Sequence, residues 1–139
     1  MAMDREPMDQ EPMDHEPMDA AMAAFRDRAR ATNLARAQVI AEALQSMHDG
    51  ELVEDVRLTA SRAAHSLAGS AGTFGFAAAS QLGRDLEALL DGVDEPARVD
   101  DAEVTQARAA RGLAQVAQLR EALAATPTTN GRESGEATT

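Results

Sequence analysis

The chain has 139 residues, of which 44% are hydrophobic, 27% are charged and 2% are aromatic, and it contains no Cys, Trp, Tyr or Lys. This length suits one domain better than two. The formal net charge of −11 argues against the basic face that binding to nucleic acid or to an anionic membrane requires. Without cysteine, the chain has no disulfide framework, no thiolate nucleophile and no thiolate metal site.

The apolar composition favours helices. Ala supplies 31 of the 61 hydrophobic residues and Leu 12, whereas Val and Ile together supply 8. Ala and Leu lose little freedom in a helix, while β-branched residues suit strands. No segment approaches the roughly 18 apolar residues of a membrane-spanning helix, and the acidic N-terminus lacks the apolar region of a signal peptide. We therefore expect an all-α, cytoplasmic protein.

The N-terminal 19 residues form an acidic repeat. The sequence EPMD occurs three times with a period of five residues, at 6–9, 11–14 and 16–19. A packed helix needs a period near 3.6, and regularly spaced prolines remove backbone donors. We therefore expect residues 1–19 to be a disordered tail, either a solvated leader or a docking segment.

The first predicted helix covers about 20–47. Its apolar residues begin at Phe25, and Thr32 and Asn33 are candidate caps for an interruption. The pair Asp49 and Gly50 should end it.

A second helix is expected from about 52 to 73, ended by Gly72 and Gly75. Its apolar residues recur at helical spacing, which predicts that one face is buried. These residues are Val53, Val56, Ala60, Ala63, Leu67, Ala71 and Phe74.

The third predicted helix covers about 76–90 and the fourth begins at Asp100, where Glu103 stands three positions after a good N-cap. Short turns between four helices predict an antiparallel up-and-down four-helix bundle over 20–126, followed by a disordered tail at 127–139. The interior would then be complete from Phe25 to Leu123, so we expect a monomer.

Three histidines are present, and only His65 has informative surroundings. It lies two positions before the apolar Leu67, which at 100° per residue turns it to the solvent if Leu67 is buried. The residues at i+3, i+4 and i+7 are Ala68, Gly69 and Gly72. Glycine lowers helix stability, so a bare patch beside an exposed histidine suggests that another molecule approaches the backbone. A surface histidine on a tightly packed helix is the alternative.

The other signals of an enzyme are missing from the sequence. His15 lies in the acidic repeat, and His48 lies at a helix end, where a cation is ordinarily stabilising. No histidine pair has metal-ligand spacing, and there is no phosphate-binding glycine loop or GxSxG motif. We therefore predict no metal site, and no ATP-binding motif is present to support kinase activity.

The segment RAAHSLAGSAGTFGF at 62–76 resembles the histidine-containing phosphotransfer (Hpt) domain. The family signature is H-x-L-K-G-S, with a glycine ten residues after the histidine. Its matches here are His65, Leu67, Gly69, Ser70 and Gly75, whereas Ala68 replaces the common lysine. The resemblance extends over 62–90, and the segment is also similar to the phosphotransfer domain of chemotaxis histidine kinases.

The resemblance implies a bacterial phosphorelay intermediate without kinase activity of its own. His65 would carry a phosphoryl group between a histidine kinase, or its receiver domain, and the receiver domain of a response regulator. No cofactor is expected in this chain, because the receiver would supply Mg²⁺. The alternative is an adaptor that binds a receiver or kinase without being phosphorylated.

Three side chains are expected to assist His65. In an antiparallel hairpin turning near residue 76, Glu87 lies at the height of His65, and the resemblance implies that it orients the imidazole. By the same placement, Arg84 lies at the height of Ala68. Arg84, with Arg62 as the weaker candidate, could replace the missing lysine and contact the phosphoryl group.

Overall fold

The computed structural model describes residues 2–92 and 102–125, with side chains from residue 18 onwards. The chain folds into four helices: α1 (Ala2–His48), α2 (Glu54–Thr73), α3 (Ala77–Asp91) and α4 (Ala102–Ala124). The expected N-cap at Asp100 and the expected C-terminal tail at 127–139 lie outside the described residues. No helix in the described ranges is both long and apolar enough to cross a membrane.

The helices form the antiparallel four-helix bundle that the sequence predicts. Each helix packs against its neighbours in the chain, and α4 also packs against α1, which closes the bundle. The core between them is built largely from alanine and leucine. Its largest fully buried apolar side chains are Ile40, Leu44, Met47, Leu67, Leu86, Leu90, Val116, Leu119 and Leu123.

Two glycines with positive φ end the first two helices. Gly50 has a φ of 76° and Gly75 a φ of 88°, a conformation that costs glycine little because it has no Cβ. After α2, the Gly75 N–H donates to the Gly72 carbonyl at 3.3 Å and the Phe76 N–H donates to the Ala71 carbonyl at 2.8 Å. This pair of bonds is a Schellman motif. Gly72 is the penultimate residue of α2, and its carbonyl takes part in this cap.

The first helix is uninterrupted, contrary to the suggestion that Thr32 and Asn33 could break it. Asn33 is fully buried. Its Nδ2 donates to Ser70 Oγ at 3.1 Å, and its Oδ1 accepts from Arg36 Nη1 at 2.8 Å. Both ends of the amide therefore have hydrogen-bond partners inside the bundle, and the side chain does not cap a helix. The helical backbone of α1 begins at Ala2, and the disorder expected for the EPMD repeat stays a prediction.

The bundle interior does not begin at Phe25, which was expected to be part of it. Phe25 is 50% exposed, because α1 extends beyond the end of the bundle at this point. That end is marked by Arg30, whose Nε donates to the Leu123 carbonyl of α4 at 2.7 Å. Arg30 also lies over the ring of Phe76, 5.4 Å from its centroid. Leu34, Val53 and Val56 are likewise more exposed than their apolar character predicts.

A buried arginine joins α2 to α3 at the opposite end of the bundle. Arg57 is 5% exposed, and its Nη1 donates to the Leu90 carbonyl at 3.3 Å. Its Nε and Nη2 donate to Glu54 at 3.0 and 2.5 Å. Nearby, Ser61 Oγ donates to Asp91 Oδ1 at 2.7 Å. The hydrogen bond from Arg57 lowers the pKa of Glu54 below its ordinary value. Desolvation raises this pKa and the charge of Arg57 lowers it further, but both effects are smaller than that of the hydrogen bond.

This arrangement predicts a pH-dependent contribution of Glu54 to stability. Since the pKa of Glu54 is lowered in the folded protein, its contribution is full above the ordinary pKa and is lost as the pH falls through the lowered value. We expect wild type to be more stable than Glu54→Gln at neutral pH and the difference to shrink in acid. Urea unfolding at a series of pH values measures this. A difference unchanged between neutral pH and about pH 3 contradicts the prediction.

Candidate functional site

His65 lies on the solvent face of α2, in the middle of the helix. Its side chain is 76% exposed, whereas Leu67 is fully buried in the core. This difference agrees with their separation of two residues, which places them on opposite sides of a helix. The imidazole is therefore held on a rigid element and is open to another molecule.

Glu87 of α3 lies beside the imidazole. Nδ1 of His65 is 3.3 Å from Oε1 and 3.2 Å from Oε2 of Glu87, and the carboxylate side chain is 29% exposed. An ionised carboxylate only accepts hydrogen bonds, so the contact requires a proton on Nδ1. In a neutral imidazole, Nε2 then keeps its lone pair and points away from Glu87. The geometry therefore distinguishes the two imidazole nitrogens, because only Nδ1 lies beside the carboxylate.

The two helices approach very closely next to this pair. A Cβ placed on Gly83 of α3 would lie 3.1 Å from Ala68 Cβ, 3.2 Å from Ala68 Cα and 3.2 Å from the Ala64 carbonyl oxygen. Sequence reasoning did not single out Gly83. The sequence could have indicated it, because Gly83 lies one turn before Glu87 on α3. The alanines that it meets, Ala64 and Ala68, are one turn apart on α2.

The bare patch expected at Ala68, Gly69 and Gly72 is wrong for Ala68, which is buried, whereas the two glycines are exposed. Ala68 is only 4% exposed because it packs against Gly83, so it belongs to the interface between α2 and α3. Gly69 is exposed, and a Cβ there would meet nothing within 4 Å. Gly72 is also exposed, with Ser80 Oγ at 3.2 Å from its would-be Cβ. The bare surface is therefore formed by the two glycines.

Two serines form hydrogen bonds that join the part of α2 around Gly69 to the neighbouring helices α1 and α3. Ser80 Oγ of α3 donates to the Ala68 carbonyl at 2.8 Å in a buried position. Ser70, part of the H-x-L-x-G-S pattern, accepts the hydrogen bond from the buried Asn33 of α1. The serine of the pattern therefore contacts α1 and does not face the histidine's solvent side. Only the tertiary structure assigns it this role.

The two candidate arginines, Arg84 and Arg62, are exposed on the two helices that carry the site. Arg84 lies one turn before Glu87 on α3, and Arg62 lies one turn before His65 on α2. Neither makes a hydrogen bond or ion pair with the described residues, so both guanidinium groups are available to an incoming anion. His48 lies at the end of α1, with its Nδ1 3.5 Å from Asp49 Oδ1. The side chain of His15 lies outside the described part of the chain.

The described residues offer no alternative centre for chemistry. Among the side chains described, those of residues 18–92 and 102–125, no three His, Asp or Glu are grouped so that they could hold a metal ion. A shallow cavity of about 300 Å³ lies between α3 and α4, lined in part by Leu89, Arg108 and Gln115. Neither His65 nor Glu87 borders it. The polar pair on α2 and α3 is therefore the best candidate site.

Comparison with known proteins gives one match. The family model for the Hpt domain matches residues 22–128, a range that includes the second half of the long first helix and all of α2, α3 and α4. No curated protein and no solved structure matches the chain.

Proposed function

The chain belongs to the Hpt domain family, whose members carry phosphoryl groups on histidine in two-component phosphorelays, and we propose that its phosphoacceptor is His65. The observation that carries this proposal is the contact of Nδ1 with Glu87 on an otherwise exposed imidazole. A nucleophile that must react inside another protein's active site needs an open approach and one fixed nitrogen. His65 has both properties.

The transfer step follows from this geometry. Nε2 of His65 attacks the phosphorus of an aspartyl phosphate on a receiver domain, a P–N bond forms, and the P–O bond to the aspartate breaks with release of its carboxylate. The imidazole gains positive character as it is phosphorylated. Glu87, 3.2 Å from Nδ1, orients the ring through the Nδ1 proton and stabilises that charge. The reverse reaction returns the phosphoryl group to an aspartate.

Gly69 and Gly72 provide the surface on which the receiver approaches. Nothing inside the bundle needs the absence of a side chain at Gly69, because the space around its would-be Cβ is open. A glycine in a helix interior is less stable than alanine by about 1 kcal/mol. Close approach by a partner's backbone explains why this cost is tolerated one turn from His65.

The partners in this proposal are a receiver domain of a response regulator and a histidine kinase in the bacterial cytoplasm, with the chain acting as a monomer. Hpt domains are phosphotransfer carriers and not kinases. The Mg²⁺ that neutralises the phosphoryl oxygens belongs to the receiver in this scheme, so His65 and Glu87 contribute the nucleophile and its orientation.

The direct test is phosphorylation of the full chain by a receiver domain charged with acetyl phosphate and Mg²⁺. We expect wild type to gain one phosphoryl group by intact mass, labile in acid and stable in base, and His65→Gln to gain none. Because His65 is exposed, the substitution should change the free energy of unfolding by less than about 0.5 kcal/mol.

The Gln variant retains His15 and His48, so it also serves as the control for those residues. Phosphorylation that persists in this variant assigns the acceptor elsewhere and contradicts the proposal. Binding of the charged receiver without any transfer to wild type would instead support the adaptor function.

Gly69→Ala should change stability and transfer in opposite directions. Alanine fits the open space and should raise the free energy of unfolding by about 0.5–1 kcal/mol. It should also slow transfer by about threefold or more, a barrier increase of about 0.7 kcal/mol, because the added methyl faces the receiver. Urea unfolding and single-turnover transfer measure the two effects. Transfer at the wild-type rate in a stabilised variant shows that no partner contacts this position.

Arg84 is the proposed substitute for the lysine that most family members have at the position of Ala68. Since Arg84 and Arg62 are exposed on the two helices of the site, Arg84→Ala should shorten the lifetime of phosphohistidine and slow transfer more than Arg62→Ala does. Arg111→Ala on the exposed surface of α4 is a control for charge. If the phosphohistidine lifetime and the transfer rate of both site variants stay within about twofold of wild type, or roughly 0.4 kcal/mol, no arginine replaces the lysine.

A further inference from the structure

We propose that Gly83 is a positioning residue for the phosphoacceptor site. Its missing side chain lets α3 approach α2 closely enough for Glu87 to hold the Nδ1 proton of His65. This inference deepens the proposed function and rests on it. Gly83 does not touch the imidazole, and it acts only through the separation of the two helices.

The contacts at Gly83 are with backbone as well as side chain, which makes them hard to relieve. A Cβ at this position would stand 3.2 Å from the Ala64 carbonyl oxygen and 3.2 Å from Ala68 Cα. Both atoms belong to the backbone of α2, and the contacts would have to lengthen by a few tenths of an ångström. An added methyl group therefore has to displace one helix from the other rather than turn a flexible side chain aside.

The displacement would act directly on the His65–Glu87 contact. Ala64 immediately precedes His65, and Glu87 lies one turn after Gly83 on the same face of α3. The distances from Nδ1 to the two carboxylate oxygens, 3.2 and 3.3 Å, are already at the long end for a hydrogen bond. A further separation of a few tenths of an ångström would weaken the contact markedly.

Other sites provide controls. A Cβ on Gly112 of α4 would meet the Leu44 side chain at 2.8 and 3.0 Å and Leu89 Cδ1 at 3.4 Å, so Gly112→Ala also strains the core. That strain lies where α4 meets α1 and α3, away from α2. Ala68→Gly removes the Cβ that a new Cβ at residue 83 would approach to 3.1 Å. The double variant Ala68→Gly, Gly83→Ala should therefore regain part of the close approach.

The experiment measures the tautomer of His65 by ¹⁵N NMR of the full-length, folded chain, together with the rate of phosphoryl transfer from a charged receiver. We expect wild type to carry the proton on Nδ1 and Gly83→Ala to shift it toward Nε2, with a fall in transfer rate of about three- to tenfold. Glu87→Ala defines the effect of losing the contact completely. Gly112→Ala should keep the wild-type tautomer, and the Ala68→Gly, Gly83→Ala variant should recover toward it.

A purely structural role of Gly83 would lower stability without changing the tautomer of the folded protein. The inference is therefore overturned if Gly83→Ala keeps both the Nδ1–H tautomer and the wild-type rate, or if Gly112→Ala shifts the tautomer equally. Should Gly83→Ala fail to fold, the Ala68→Gly, Gly83→Ala variant compared with Ala68→Gly alone gives the same test. If wild type accepts no phosphoryl group while the tautomer responds as described, the proposed function fails and the positioning role stands.

Discussion

The close approach of α2 and α3 is the constraint on which the rest of the site depends. Small residues meet along this interface, where a methyl group on Gly83 would lie only 3.1–3.2 Å from atoms of Ala64 and Ala68. Such packing brings two rigid backbones together, so side chains at the edge of the interface can meet across it. His65 and Glu87 stand at that edge and form a contact that is still open to solvent on its other side.

Polar contacts fix the register of a core that is rich in alanine. Alanine buries little apolar area, so many sliding arrangements of alanine-rich helices would have similar hydrophobic energies. Asn33 ties α1 to Ser70 of α2, Arg57 ties α2 to the end of α3, and Arg30 ties α1 to the last carbonyls of α4. Each of these bonds would be lost by a shift of one turn, leaving buried polar groups without partners. The polar contacts thereby select one arrangement.

The site holds only part of the machinery of phosphoryl transfer, which suits a carrier. It offers an exposed imidazole, a carboxylate 3.2 Å from its Nδ1 and a surface without side chains at Gly69 and Gly72. Stabilising the charge of the transferring group requires a further set of cations and donors. A chain in the Hpt family can leave those groups to the receiver domain with which it exchanges the phosphoryl group.

The sequence alone determined the helical class, the order of the helices and the glycine turns. It also singled out His65 as an exposed histidine, because all of these follow from local signals. Composition sets helix propensity, Gly50 and Gly75 supply positive φ, and a two-residue offset from Leu67 sets the exposure of His65. The height of Glu87 also followed from counting along a hairpin. Local periodicity could not decide where the bundle ends, so Phe25 was placed inside it although half of its surface is exposed. Nor could it show that Asn33 and Gly83 are buried or that Ala68 packs inward against Gly83. Each of these depends on which residue of another helix lies opposite, and only the tertiary packing decides that.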